Sequence, residues 1–206
     1  MTLPPAEPTL RLYHNKSSRS TRPRWLIEEG NLPVEIRVVD MQGGEHKTEE
    51  YRQIHPHGKV PALVDGDMAI MESAAICLYL ADRFPEAGLA PAIDAPERAE
   101  YYQWIVYAMV TLEPPIQRFS LLHRAARADA PGKAAAQLEF DACARVLTSA
   151  LNDRTWLLGE EFCAADIVVG SCLAWAAGLK MVEAWPVLQS YVSQCKERPA
   201  FARARA

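Results

Sequence analysis

Short alternations of apolar and polar residues open this chain, and helical spacings fill the rest of it. Leu10–Tyr13 alternates with charge and reads as a first strand; Val34–Val39 alternates and reads as a second. Between them, Asn15-Lys16-Ser17-Ser18-Arg19-Ser20-Thr21 is polar turn chemistry. Pro23 then sits where a first helical turn tolerates proline, and Trp25, Leu26 and a stop at Gly30 frame a short helix. Asp40–Glu45, with Gly43-Gly44, reads as a loop, and Thr48–Ile54 as a short helix. Pro61–Asp65 and Met68–Met71 straddle Asp65-Gly66-Asp67, a hairpin signal. Ser73–Phe84 is helical, with Ile76, Leu80 and Phe84 on one face. The order β-α-β-α-β-β-α is that of a thioredoxin-like domain.

Residues 1–8 are proline-rich and read as a loose arm. Three prolines and a glycine between Pro85 and Pro96 read as an interdomain linker. From Glu97 onward the pattern is helical, with breaks expected near Pro114-Pro115, Pro131-Gly132, Asn152–Gly159, Gly178 and Pro186. The expected architecture is an α/β thioredoxin-like domain over residues 9–84, a linker over 85–96 and an all-α domain over 97–206.

Composition narrows the function classes. A chain of 206 residues holds one or two domains with a sizeable core. Its 50% hydrophobic and 23% charged residues are ordinary globular usage, and a net charge of −4 excludes a global field for polyanions. Five cysteines (Cys77, Cys143, Cys163, Cys172 and Cys195) form no Cys-x-x-Cys pair. An odd count without metal spacing reads as reduced thiols, so a cytoplasmic location is expected. No basic-then-apolar leader is seen at the N-terminus, and no apolar run reaches the ~18 residues of a membrane span.

The candidate chemistry lies in His57-Gly58-Lys59-Val60-Pro61-Ala62-Leu63 and, downstream, Glu72-Ser73. Proline gives no ladder N–H, so Pro61 belongs at a strand start, an edge or a bulge. A Val-Pro turn there leaves the Val60 main chain able to pair with an extended ligand. Glu72-Ser73 opens a helical pattern, and a helix start suits a carboxylate. Peptide backbone held at one point and carboxylate at another outlines a glutathione site.

In that combination the chain resembles the glutathione S-transferase family, and more narrowly its theta/delta-like, serine-type members of bacterial style. Strand, serine-bearing turn, helix, Val-Pro-Ala-Leu and Glu-Ser carry the likeness in the N-terminal half. Phe162-Cys163-Ala164-Ala165-Asp166-Ile167 carries it in the C-terminal half. The resemblance implies a cytosolic, detoxifying homodimer that uses glutathione as co-substrate and no metal, with no nucleic-acid or membrane partner. It implies attack of the glutathione thiolate on a small hydrophobic electrophile.

The resemblance also implies residue roles. Ser18, four residues before Arg22, takes the place of the catalytic serine that donates a hydrogen bond to the thiolate. Ser17 and Ser20 share the same turn, and all three serines also suit plain helix capping. Tyr13 is the rival, because other classes use a tyrosine at the end of the first strand. The Val60 backbone, ahead of Pro61, pairs with the cysteinyl part; Glu72 holds the γ-glutamyl ammonium and Ser73 its carboxylate. His46, fourteen residues before Val60, and Lys59 reach the glycyl carboxylate. Tyr107 and Thr111 face the electrophile pocket, although Tyr101, Tyr102, Trp104, Tyr107 and Met109 also read as a core stripe.

Other readings stay open. The same scaffold serves glutathione-dependent peroxidase, isomerase and dehalogenase chemistry, or a ligandin-like homologue that binds without turnover. No cysteine occurs in residues 1–76, which argues against a protein mixed disulfide. An interaction module of a larger complex is the third class. His55 and His57 lack ligand-spaced partners and read as surface loop histidines. Asp166 reads as a structural capping residue behind an unusual Cys163 cap, and Arg19, Arg22, Arg24, Arg203 and Arg205 as solvated surface.

Overall fold

The computed structural model describes residues 10–16, 18–125 and 129–206. It divides into two compact units, one of residues up to Gly88 together with Pro199–Ala206, the other Leu89–Arg198.

The first unit is built on β1 (Leu10–His14), β2 (Val34–Val38), β3 (Ala62–Asp65) and β4 (Met68–Met71), in the sheet order β2-β1-β3-β4. β1 runs parallel to β2 and antiparallel to β3, and β3 and β4 form the hairpin that Asp65-Gly66-Asp67 predicts. Alternation places Leu10, Leu12 and His14 inward along β1. The helices are α1 (Thr21–Gly30), α2 (Glu49–Ile54) and α3 (Ser73–Arg83). α1 and α3 pack on each other and close the core with Leu12, Leu63, Trp25, Leu26, Ile76 and Leu80, all without solvent exposure.

The stop of α1 differs from the expected one by a residue. Gly30 is still helical, and Asn31 takes the left-handed cap at φ 48°, its N–H bonded to Ile27 O. A Cβ at Gly30 would lie 2.8 Å from Leu32 Cδ2, so a larger residue there would displace the Leu32 side chain. A last short helix, α9 (Pro199–Arg203), belongs to this unit. Phe201 meets Trp25 edge-on at 4.9 Å, and Arg203 Nε donates to Glu28 Oε2 at 2.8 Å.

The second unit is helical among its described residues: α4 (Glu97–Tyr107), α5 (Glu113–Arg124), α6 (Ala130–Leu151), α7 (Ala164–Gly178) and α8 (Pro186–Glu197). Pro114-Pro115 does not break the chain as expected. A π-helical stretch, Ala108–Leu112, joins α4 to α5, and the prolines fall in the first turn of α5, directly after it. α7 is the central helix, with Ala164 to Leu173 buried all round. Asp166, in its first turn, is fully buried. Its Oδ1 accepts Leu157 N at 2.9 Å and Tyr191 Oη at 2.8 Å; its Oδ2 accepts Cys163 N at 3.0 Å and Cys163 Sγ at 3.4 Å. No helix among the described residues is long and apolar enough to cross a membrane.

Candidate active site

The sheet register brings three motifs to one end of the first unit. Tyr13 pairs with Ala62, and Ala62 with Met71. The residues beyond each of these therefore leave the sheet together: the β1–α1 turn after His14, Val60-Pro61 before β3, and Glu72-Ser73 after β4.

The Val60–Pro61 peptide is cis, and Pro61 lies just ahead of β3, where a strand tolerates proline. The Val60 main chain makes no hydrogen bond among the described residues. Its neighbour Lys59 is exposed, and Lys59 O accepts the Tyr51 hydroxyl at 2.8 Å. Glu72 is exposed with φ 73°, ψ 115°, a conformation few non-glycine residues adopt. Ser73 opens α3 and is 4% exposed; its Oγ accepts Arg22 Nη1 at 3.1 Å. Arg22, expected on the surface, is 3% exposed, while Arg19 is exposed and Arg24 is ion-paired with Glu28.

Ser18 lies half-buried in the β1–α1 turn. Its Oγ donates to Asn15 O at 2.8 Å, accepts Ser20 N at 3.1 Å and lies 2.8 Å from Ser20 Oγ. Ser20 is fully buried and acts as the hub of the turn: its Oγ accepts Asn15 N at 2.9 Å and lies 2.8 Å from His14 Nδ1. Ser17 falls outside the described residues. Tyr13 points to the other side of β1 from His14, and its ring meets Tyr51 of α2 edge-on at 5.6 Å.

His46 sits in a short 3₁₀ turn, Glu45–Lys47, with its Nδ1 buried and without a partner. Its main chain is pressed against Gly58, where φ is 57° and a Cβ would fall 2.4 Å from His46 O. His57 is exposed, but His55 is 4% exposed, contrary to a surface reading; burial, then His57, lowers its pKa. Among the described residues no group of three or more His, Cys, Asp or Glu is placed to hold a metal. All five cysteines are buried, and burial pushes the Cys77 thiol up to about 12, which makes it a poor nucleophile.

In the second unit, Tyr107 is half-buried against Trp104, with ring centres 5.5 Å apart, and burial, then Cys143, raises the pKa of its hydroxyl. Cys143 Sγ reaches Thr111 O at 3.5 Å. The π-helical stretch thus gathers Tyr107, Thr111 and Cys143, with Thr111 exposed.

The family described as "Glutathione S-transferase, N-terminal domain" matches residues 8–82, and "Glutathione S-transferase, C-terminal domain" matches residues 104–199. The chain is similar to glutathione S-transferase theta-1 of Homo sapiens, with 30% identity over 88% of this chain and 80% of that one. It is also similar to the disulfide-bond oxidoreductase YfcG of Escherichia coli (strain K12), with 27% identity over 94% of this chain and 93% of that one. Among solved structures, a glutathione transferase from Burkholderia graminis with two glutathione molecules bound per subunit superposes with a TM-score of 0.86. It is 27% identical and covers 98% of this chain and 90% of its own.

Proposed function

This chain belongs to the glutathione S-transferase family and is a glutathione transferase; from that premise we propose a serine-type enzyme in which Ser18 holds the glutathione thiolate for attack on a small hydrophobic electrophile. The observation that carries the reading is the convergence of the Ser18 turn, the unpaired Val60 main chain and the α3 start at one end of the sheet.

The roles follow from what each group can offer. The Val60 N–H and C=O pair with the cysteinyl main chain in strand fashion. Ser73 and the opening N–H groups of α3 bind the γ-glutamyl carboxylate, and the Glu72 carboxylate its ammonium. His46 and Lys59 meet the glycyl carboxylate. A free thiol ionises above neutral pH, at about 8.5. A Ser18 O–H donated to sulfur, next to the start of α1, favours the anion and lowers that value. The hydroxyl keeps its proton. The thiolate lone pair forms the C–S bond, and the leaving group departs with the electrons of the bond it breaks. Tyr107 and Thr111 line the electrophile pocket, and the two reactants held together supply the rest of the acceleration. A two-fold homodimer, the commonest closed symmetry, completes the reading.

Glutathione binding by calorimetry, with ultraviolet absorbance of the bound thiolate against pH, tests the reading. Binding with a lowered thiol pKa is expected. Binding with an unshifted thiol favours a ligandin-like protein, and no binding overturns the site.

The similarity to YfcG favours a second reaction on the same site: attack of the Ser18-held thiolate on a disulfide, with one thiolate released. A second glutathione thiolate then resolves the mixed disulfide to oxidised glutathione. Turnover of a hydroxyalkyl disulfide, set against that of an aryl halide, separates the two.

A further inference from the structure

The proposed mechanism makes no use of His14. This residue ends β1, is 5% exposed, and its Nδ1 lies 2.8 Å from Ser20 Oγ, which lies 2.8 Å from Ser18 Oγ. We propose that His14 is a positioning residue that acts through Ser20 to aim the Ser18 proton at the ligand's sulfur, an inference that rests on Ser18 as the thiolate's donor.

Counting protons and lone pairs carries it. A serine hydroxyl has one proton to give and two lone pairs to fill. Asn15 N–H fills one lone pair on Ser20 Oγ, at 2.9 Å. A proton on His14 Nδ1 fills the other. Ser20 then has its own proton to donate, to Ser18 Oγ at 2.8 Å or to Asn15 O at 3.0 Å, and no lone pair left to accept from Ser18. Ser18 Oγ already accepts Ser20 N–H at 3.1 Å. With Ser20 closed to it as an acceptor, Ser18 keeps its proton for Asn15 O at 2.8 Å or, when glutathione binds, for the sulfur.

The opposite arrangement works against catalysis. With the imidazole proton on Nε2, Nδ1 takes the Ser20 proton, and Ser20 Oγ becomes an acceptor that draws the Ser18 hydroxyl inward. An anion in front of Ser18 selects the first arrangement, in which every donor in the row points towards it and each bond polarises the next. Burial lowers the pKa of His14, so the imidazole is neutral and supplies direction, not charge.

The test compares two polar replacements. An asparagine amide sits at the distance of Nδ1 from the main chain, and a glutamine amide at that of Nε2. His14→Asn is expected to keep kcat within about two-fold of the parent, with the bound thiol pKa unchanged. His14→Gln and His14→Leu are expected to lower kcat about five- to ten-fold and raise the bound thiol pKa, with KM for glutathione unchanged. In a Ser18→Ala background His14→Leu should cost nothing more. Equal behaviour of the Asn and Gln variants, or a loss that persists in full without Ser18, overturns the role of His14. A Ser18→Ala variant with an unaltered bound thiol instead removes the reading beneath it. The Asn and Gln pair keeps the test decisive if the leucine variant fails to fold.

Discussion

Arg22 Nη1 donates to Ser73 Oγ across 3.1 Å, joining the second residue of α1 to the first of α3, with both side chains buried. A hydroxyl that accepts from a guanidinium keeps its own proton for another acceptor. On the proposed reading that acceptor is the γ-glutamyl carboxylate. Ser73→Ala is therefore expected to raise KM for glutathione about ten-fold or more, the scale of a hydrogen bond to a charged group, while kcat at saturation stays near the parent value. Initial rates over a glutathione series check it. A fall in kcat at unchanged KM would mean that Ser73 acts on the reacting sulfur instead.

Ser18 and Tyr13 are the two candidates for the thiolate's donor, and one substitution at each separates them. Ser18→Ala should lower kcat about ten- to hundred-fold and leave glutathione affinity within a few-fold, because its hydrogen bond favours the thiolate over the thiol. Tyr13→Phe keeps the ring that packs on Tyr51 and should leave turnover unchanged. The reverse pattern would transfer the donor role to Tyr13.

Much of the fold was legible because it is written in local signals. Alternation marks β1 and β2, Asp65-Gly66-Asp67 marks the hairpin, and Pro186 and Gly178 mark helix ends. Pro114-Pro115 misleads, since proline reads as a break and is equally at home in a first helical turn; the π-helical stretch that delivers it there has no sequence signal. Arg22 and His55 look like surface residues by type, and only tertiary packing buries them. The Ser20 hub is hidden for a related reason. Three serines in one turn are alike in sequence, and only the path from His14 shows which of them is tied to the strand. The packing of α9 on α1 joins residues 175 apart, beyond the reach of any local pattern.

The two buried histidines set a pH dependence. Burial holds His14 and His55 below the ordinary imidazole value of 6.5. Above 6.5 both are neutral in the folded and the unfolded chain, and their contribution to stability is fully present. Below it the unfolded chain takes up protons that the folded chain refuses, so stability is lost as pH falls towards the folded values. Denaturant midpoints are expected to be level near neutrality and to fall on the acid side. His55 Nδ1 has no hydrogen-bond partner, so His55→Phe forfeits no bond there and should flatten that fall. An unchanged slope in this variant would remove His55 as a source.

Asp166 is the most exacting polar group in the second unit. Its carboxylate is fully buried and receives Leu157 N, Cys163 N, Tyr191 Oη and Cys163 Sγ, so it ties the start of α7 to the preceding loop and to α8. Burial raises its pKa, and the hydrogen bonds oppose that rise. Asp166→Ala leaves these donors buried and unanswered, at about 1–3 kcal/mol for each unsatisfied group, with partial relief wherever water enters. The expected loss is about 3–5 kcal/mol, a large share of the stability of a domain. Denaturant unfolding followed by tryptophan fluorescence reads it, because Trp156 packs on Tyr191 at 5.8 Å beside the cluster. Cys163→Ser separates the parts of the network. A hydroxyl there donates to Asp166 better than a thiol does and should hold or raise the midpoint. A large loss from Cys163→Ser would mean that the thiol is kept for its packing and not for its hydrogen bond.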